Sequence, residues 1–212
     1  MELKEMSVAE MAAMTASKSP APGGGSIAAM TGAFGAALSA MVANLTIGKK
    51  AYDDVREEMQ SLIETAEEIR LELLDAIQKD SESFNDFIAA LGMPKETDEE
   101  KAARTAAMQR SLKEAAEIPY QTAVTAARVM PLAEKVVQKG NAKAVTDGLV
   151  SAMMARTAVR SALVNVRINL ESINDTEYVA QMKDKCRDLE GRVVKAEAYI
   201  LSLVPELSYC KS

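Results

Sequence analysis

The uncharged stretch GGGSIAAMTGAFGAALSAMVANLTIG, residues 23–48, decides the fold. It is long enough to cross a bilayer, but its Ala, Gly, Ser, Thr and Asn content gives little driving force for insertion. Small residues recur along it at four-residue spacing in two adjacent ridges, Ala28, Gly32, Ala36 and Ala40 beside Ala29, Ala33 and Ala37. Such ridges let two helix backbones approach closely. We therefore predict a helix buried at the centre of a bundle, and no membrane span.

The rest of the chain is also typical of helices, because Ala is abundant and alternating β patterns are missing. An apolar stripe at spacings of three and four follows residues 53–91: Val55, Met59, Leu62, Ala66, Ile69, Leu73, Ile77, Asp80, Phe84, Phe87 and Leu91. A near-heptad seam follows the last helix: Val179, Met182, Cys186, Leu189, Val193, Ala196, Ile200 and Leu203. We predict an all-α, elongated multi-helix bundle with long antiparallel helices, as one domain over residues 1–212. Because these stripes are longer than one chain can cover, we also expect a homodimer.

Short signals mark the helix ends. Three pairs have capping-box spacing: Ser7 with Glu10, Thr97 with Glu100, and Asn174 with Glu177. Ser26 is positioned to cap the central helix, and Pro119 is expected to kink or end the helix that it meets.

Composition narrows the chemistry before any motif does. The 212 residues include no histidine and carry a net charge of −6. The lack of histidine excludes Ser-His-Asp and Cys-His nucleophile systems and any His-ligated metal site, so we expect no metal. The acidic charge argues against a nucleic-acid partner. Two cysteines, Cys186 and Cys210, cannot form a disulfide framework, which favours a cytoplasmic location.

Asp80 interrupts the apolar stripe between Ile77 and Phe84. A carboxylate on such a face is costly unless it is paired or protonated. Desolvation raises the pKa of a carboxyl group, which suits a general acid–base at neutral pH. The alternative is a structural aspartate that a neighbouring cation or backbone N–H satisfies. The sequence pattern alone does not decide between a catalytic and a structural role for Asp80.

Other polar residues form three further candidate groups. One face of the helix predicted over residues 142–172 carries Asp147, Ser151, Met154, Ala158, Ala162, Asn165 and Asn169. The two amides could hold a neutral heterocycle or bond an adjacent helix, and Asp147 could simply favour the first turn of the helix.

The segment Pro22-Gly23-Gly24-Gly25-Ser26 offers free N–H groups to a substrate, or is only a turn and a cap. It lacks the spacing of a nucleotide-binding loop. Lys49 and Lys50 could bind a carboxylate or be merely solvated.

Taken together, these pieces resemble the cyclodeaminase/cyclohydrolase family, known as the C-terminal domain of formimidoyltransferase-cyclodeaminase and as free-standing bacterial proteins. The matching residues run in family order over about residues 6–175: SPAPGGGSIAA at 19–29, Gly32, Ala36-Ala37-Leu38, Met41-Val42, Gly48-Lys49-Lys50, Asp80 with Phe84, Pro94-Lys95 with Thr97, Pro119, Gly140-Asn141, Asp147, Asn165-Val166 and Asn169-Leu170. The ordered set is far more specific than the glycine motif alone.

The resemblance implies an all-helical homodimer that acts on one-carbon folates without a cofactor. One implied activity closes 5-formiminotetrahydrofolate to 5,10-methenyltetrahydrofolate with release of ammonia. The runner-up hydrolyses methenyltetrahydrofolate to 10-formyltetrahydrofolate, and a different class is a non-catalytic helical interaction protein. A formimidoyltransferase would be a separate partner.

The resemblance also assigns roles to residues. The catalytic aspartate of the family falls on Asp80. We expect the loop of residues 22–26 to lie against the substrate. The remaining candidates divide into residues that orient the pterin or support Asp80, namely Asn141, Asp147, Asn165 and Asn169, and residues for the glutamate tail, namely Lys49 and Lys50.

Overall fold

The computed structural model describes residues 2–207, which contain helices and no strand. The α-helices of this range are α1 (Val8–Thr15), α2 (Gly24–Asn44), α3 (Arg56–Leu91), α4 (Asp98–Ala127), α5 (Val129–Lys139), α6 (Val145–Leu170) and α7 (Thr176–Ser202). Short 3-10 helices cover Leu3–Glu5, Lys50–Val55 and Ala142–Ala144. The predicted all-α class is therefore confirmed. Cys210 lies outside the described residues.

Helix α2 lies at the centre, packed against α3 on one side and α6 on the other. The tightest point is Gly32, where an added Cβ would lie 3.0 Å from Leu73 Cδ1, 3.2 Å from Ala126 Cβ and 3.3 Å from Ala158 Cβ. By length and composition α2 is the one helix among residues 2–207 that could span a membrane, and 56% of that segment is buried inside the bundle. The ridges of small residues thus serve close helix packing, as predicted.

A buried pair of hydroxyls joins α2 to α6. Ser151 Oγ donates to the backbone oxygen of Gly35 over 2.6 Å, and it lies 2.8 Å from Ser39 Oγ. The two side chains satisfy each other in the core, which is the condition for burying polar groups at low cost. Ser151 therefore has a structural role in this contact.

The stripe of α3 is covered within the chain from Met59 to Ile77. The seam of α7 is covered as well, at Met182, Cys186, Leu189, Val193 and Ile200. Our reason for expecting a dimer was therefore wrong, because these two stripes need no second copy. Beyond Ile77 the stripe of α3 emerges from the core, and Phe84 and Leu91 are exposed.

Two of the predicted capping boxes are confirmed, at Ser7–Glu10 and Thr97–Glu100. The cap of α7 is Asp175 rather than Asn174, since the Asp175 carboxylate accepts from the Tyr178 N–H and also pairs with Lys113. Ser26 does not cap α2. The N-cap is Gly23, and the buried Ser26 side chain turns towards α3.

Pro119 lies inside α4 and does not end it, since the helix continues to Ala127. The hydrogen-bond donor that Pro119 lacks is supplied by α6. Proline has no N–H, so the carbonyl of Ala115 one turn earlier loses its helical partner. The Asn169 side chain fills this place, with its Nδ2 donating to the Ala115 oxygen over 2.6 Å. The pairing joins α4 to α6 at a defined register.

This pairing predicts that the effects of Asn169→Ala and Pro119→Ala on the free energy of unfolding are not additive. Asn169→Ala should lower the free energy of unfolding by about 1 kcal/mol, because the half-buried Ala115 carbonyl loses its donor. In a Pro119→Ala background the same change should cost less, since residue 119 then supplies the helical N–H. Urea unfolding of the four proteins measures the difference. Equal costs in both backgrounds would contradict the assignment.

Candidate active site

Asp80 lies on α3 where the helix passes the N-terminus of α2. Its Oδ2 accepts a hydrogen bond from Ser26 Oγ over 2.9 Å, and the same hydroxyl lies 3.2 Å from the backbone oxygen of Ile77. The N-terminus of α2 has no side-chain cap of its own. The Asp80 carboxyl therefore accepts a hydrogen bond from the first turn of α2, as the side chain of an N-cap residue usually does, although Asp80 belongs to another helix.

Burial is the main influence on the acidity of Asp80. It raises the pKa of the carboxyl above the ordinary value of 3.8, while the hydrogen bonds from the Ser26 hydroxyl and backbone N–H act in the opposite direction and lower the pKa. The net pKa is raised. A carboxyl tuned in this way can both accept and return a proton nearer to neutral pH.

The Ser26 hydroxyl can stay bonded in both protonation states of Asp80. When the carboxyl is ionised, the hydroxyl donates its single hydrogen to Asp80. When the carboxyl is protonated, it can donate to Ser26 Oγ, whose hydrogen is then free for the Ile77 carbonyl. The contact therefore positions the Asp80 carboxyl before and after a proton transfer.

The glycines before Ser26 are needed for this contact. A Cβ on Gly25 would lie 2.0 Å from Asp80 Oδ1, and a Cβ on Gly24 would lie 3.3 Å from Asn165 Nδ2. Only a residue without a side chain lets the carboxyl approach the first turn of α2 so closely. The glycine run is thus explained by steric access rather than by backbone conformation.

Asp80 opens into a cavity of about 330 Å³, a volume within the usual range for small-molecule sites. The residues around it share one end of the bundle: Pro20, Ala21, Gly23, Gly24, Gly25, Asp80, Ser81, Ser83, Phe84, Phe87, Ala115, Asn165, Ile168 and Asn169. Phe84 and Phe87 supply an aromatic wall that our site prediction did not include. Their spacing of four and seven from Asp80 places all three on one helix face, so the signal was present in the sequence.

Asn165 and Asn169 line the cavity with their amide nitrogens already engaged. Asn165 Nδ2 donates to the backbone oxygen of Ser161 over 2.9 Å. Asn169 Nδ2 donates to the backbone oxygens of Ala115 and Asn165. Their Oδ1 atoms have no hydrogen-bond donor among residues 2–207. The interhelical role and the ligand role therefore coexist, with the oxygens left to accept from a bound molecule.

A second cavity of about 600 Å³ continues from the first. The two share Pro20, Gly23, Gly24 and Asn165 in their walls, and Pro22 lines the second one. Every residue of the loop from Pro22 to Ser26 thus lies at one of the cavities or contacts Asp80 directly.

Four predicted site residues lie elsewhere in the chain. Asn141, Asp147, Lys49 and Lys50 are at the opposite ends of α2 and α6, and 18 residues of helix put Asp147 about 27 Å from Asn165. Asn141 is buried, with its N–H bonded to Thr46 Oγ1 and its Nδ2 to the Leu45 oxygen. Asp147 occupies the first turn of α6, the position that the helix dipole favours. Within one chain, the structure does not bring these residues to Asp80.

The described part of the chain holds no group of three or more Cys, Asp or Glu side chains placed for a metal ion. The cavity is lined by the Asp80 carboxyl, the side-chain amides of Asn165 and Asn169, the hydroxyl residues Ser81 and Ser83, and the two phenyl rings.

The contribution of Ser26 can be measured through pH. Its hydrogen bonds lower the pKa of Asp80, so Ser26→Ala should raise that pKa further and move the acid limb of the kcat/KM profile to higher pH. Ser83→Ala is the matched control, because the Ser83 hydroxyl donates to the backbone oxygen of Asp80 and not to its carboxyl. An acid limb that stays in place, or moves equally in both variants, would contradict this role.

The structure places a carboxyl with a raised pKa, beside a cavity, at the N-terminus of the central helix of an all-α bundle. A family model described as formiminotransferase-cyclodeaminase matches residues 7–188. The chain belongs to this family, which confirms the resemblance of its motifs.

Comparisons with individual proteins agree with this family assignment. The chain is 41% identical over 183 residues to methenyltetrahydrofolate cyclohydrolase of Methylorubrum extorquens, covering 86% of each. It is 34% identical over 185 residues to formimidoyltransferase-cyclodeaminase of Sus scrofa, with 87% of this chain aligned, and it spans 34% of that longer protein. The crystal structure of formiminotetrahydrofolate cyclodeaminase from Thermotoga maritima superimposes with a TM-score of 0.87 at 30% identity, covering 97% of this chain and 99% of that one.

Proposed function

We propose that this protein is a one-carbon folate enzyme that works at the carbon between N5 and N10 of tetrahydrofolate. The observation that carries the proposal is a single carboxyl, Asp80, whose pKa is raised by burial and which opens into a cavity walled by Phe84 and Phe87. The first candidate reaction is cyclodeamination of 5-formiminotetrahydrofolate to 5,10-methenyltetrahydrofolate and ammonia.

In this reaction the Asp80 carboxyl takes part in two successive proton transfers. N10 attacks the carbon of the protonated formimino group, and ionised Asp80 takes the proton that N10 loses. A tetrahedral carbon then bears N5, N10 and an amino group. Protonated Asp80 gives its proton to the amino group, which leaves as ammonia and forms the methenyl cation. The site needs no metal or cofactor for these steps, because every proton transfer is assigned to the carboxyl.

The rest of the cavity suits a pterin. Phe84 and Phe87 offer ring faces and edges for a flat heterocycle, and the Oδ1 atoms of Asn165 and Asn169 can accept from its N–H groups. We further propose that the enzyme is a homodimer, and that a formimidoyltransferase, which would supply the formimino group, is a separate protein.

The second candidate is the cyclohydrolase reaction, in which water attacks the methenyl carbon to give 10-formyltetrahydrofolate. The 41% identity to a methenyltetrahydrofolate cyclohydrolase, with 86% of both chains aligned, favours it. Asp80 would then take a proton from the attacking water and give it to N5 as the bond between N5 and the tetrahedral carbon breaks. The hydroxyl on that carbon loses its proton to solvent as the formyl carbonyl forms. The same carboxyl serves either reaction because both pass through a tetrahedral carbon between N5 and N10.

Two absorbance traces of methenyltetrahydrofolate separate the candidates. A rise from 5-formiminotetrahydrofolate, with ammonia released in equal amount, identifies a cyclodeaminase. A fall from methenyltetrahydrofolate that exceeds the uncatalysed rate identifies a cyclohydrolase. Flat traces with both substrates would overturn the proposal and leave the non-catalytic interaction protein as the remaining class.

A further inference from the structure

The side-chain amide of Asn169 has no hydrogen left for a ligand. Its Nδ2 carries two hydrogens, and these go to the backbone oxygens of Ala115 over 2.6 Å and of Asn165 over 3.0 Å. A rotation of the amide by half a turn would set Oδ1 against the same two carbonyl oxygens and lose both hydrogen bonds. Asn169 therefore offers the cavity that it lines an acceptor, its Oδ1, and no donor.

The amide of Asn165 is less constrained. Its Nδ2 donates to the backbone oxygen of Ser161, on the same helix, and its second hydrogen has no acceptor among residues 2–207. A half turn of this amide would lose one hydrogen bond rather than two. Of the two amides in the cavity wall, Asn169 is therefore the one whose orientation is fixed.

This fixed orientation depends on Pro119, a buried residue outside the walls of both cavities. In a regular α-helix the carbonyl of Ala115 accepts from the N–H of residue 119, four positions later. Proline has no N–H to give. Ala115 itself lines the cavity, so its carbonyl is left to the side chain of Asn169 at the place where that side chain meets a ligand.

A fixed acceptor selects the part of a pterin that carries donors. The 2-amino group and N3–H of the ring are neighbouring donors with no acceptor between them. They lie at the end of the ring away from N5, which must face Asp80 for the proposed chemistry. Asn165 and Asn169 are one helical turn apart, with Cβ atoms about 6 Å from each other, so their oxygens can converge on this edge of the ring.

We propose that Pro119 is a positioning residue for substrate recognition, which fixes Asn169 with its Oδ1 towards the 2-amino edge of the ring. The site then selects a 2-amino ring over a ring with oxygen at that position, because two oxygens would face each other without a hydrogen to share. Pro119 acts only through Asn169 and touches no substrate. The inference rests on the proposed function, since it requires a pterin in the cavity.

Steady-state kinetics test the path from Pro119 to the substrate. Pro119→Ala restores the helical N–H and should raise KM about three- to tenfold with kcat within about twofold, since the weakened contact is remote from the reacting carbon. Asn169→Ala should raise KM at least as much. In the Asn169→Ala background, Pro119→Ala should have no further effect on KM.

Pro131→Ala is the matched control for the proline substitution. Pro131 lies in α5, is exposed, and lines neither cavity. Its replacement should leave KM unchanged. An equal rise in KM from Pro119→Ala with and without the Asn169 side chain would overturn the inference, because the proline would then act through the shape of α4.

Calorimetric titration measures the selectivity without turnover. The probes are 6-methyltetrahydropterin and 6-methyltetrahydrolumazine, which carries oxygen in place of the 2-amino group. The wild-type protein and Pro131→Ala should bind the 2-amino ring at least about tenfold more tightly, and Pro119→Ala should reduce this preference at least about threefold.

Two results of the titrations would overturn the inference and leave the proposed function standing. One is a preference that Pro119→Ala does not change. The other is a wild-type protein that turns over folates and shows no preference between the two rings. Flat absorbance traces with both folates would instead overturn the proposed function, while the titrations would still report which edge of the ring the cavity selects.

Discussion

Asp80→Asn should lower kcat by about 10²–10⁴-fold and leave the protein folded. The amide oxygen of asparagine can still accept from Ser26 Oγ, so the contact between α2 and α3 is kept while the proton carrier is lost. The measurement is the methenyltetrahydrofolate absorbance with whichever substrate the wild-type protein uses. Circular dichroism and thermal unfolding establish that the fold is intact.

Asp86→Asn is the matched control for this change. Asp86 lies six residues further along α3, is exposed, and does not line the cavity. Its substitution removes the same charge from the same helix and should leave kcat within twofold. Unchanged turnover in Asp80→Asn would exclude the carboxyl as the proton carrier, whatever happens in Asp86→Asn.

Gly25→Ala should lower kcat by about 10²-fold or more without altering any chemical group. The new Cβ would lie 2.0 Å from Asp80 Oδ1 and 2.5 Å from Asp80 Cγ, so the carboxyl must rotate away from Ser26 and from its place in the cavity. A displacement of about 1 Å is enough for a loss of this size. Steady-state kinetics and the pH profile measure it, because the displaced carboxyl also loses the hydrogen bonds that lower its pKa.

Gly191→Ala provides the comparison. Gly191 lies inside α7, where an added Cβ meets nothing within 4 Å. There the change should raise the free energy of unfolding by up to about 1 kcal/mol and leave turnover as it is. If Gly25→Ala kept wild-type kcat, the close approach of the carboxyl to α2 would have no catalytic meaning.

The sequence was informative wherever one helix face carried the signal. The small-residue ridges of α2 predicted its central place. The interruption of an apolar stripe by Asp80 predicted a desolvated carboxyl, and the structure shows it partly buried. The aromatic wall followed from the same periodicity and was overlooked, because Phe84 and Phe87 were assigned to the core. The far position of Lys49 was also predictable in principle, since a helix from Gly24 to Asn44 fixes the distance between its ends.

Tertiary pairings could not be predicted in the same way. The partner of the Ser26 hydroxyl is 54 residues away on another helix, and a serine before an apolar run is equally typical of an N-cap. Pro119 was expected to disturb α4, and nothing local indicates that an asparagine of α6 completes its hydrogen bonding. These contacts depend on the register between helices, which local patterns do not determine.

The replacement of an N-cap by Asp80 links the first turn of α2 to the chemical cycle. An ionised carboxyl holds the N–H groups at the start of a helix more strongly than a neutral one. We therefore expect the first turn of α2 to loosen when Asp80 is protonated and to tighten when the carboxyl is ionised. In the proposed cyclodeamination Asp80 is protonated while the tetrahedral carbon exists, so we expect the first turn of α2 to be held least tightly at that stage. Amide hydrogen exchange at Ser26 should accordingly slow as the pH rises through the pKa of Asp80, relative to the exchange of an unstructured peptide at each pH.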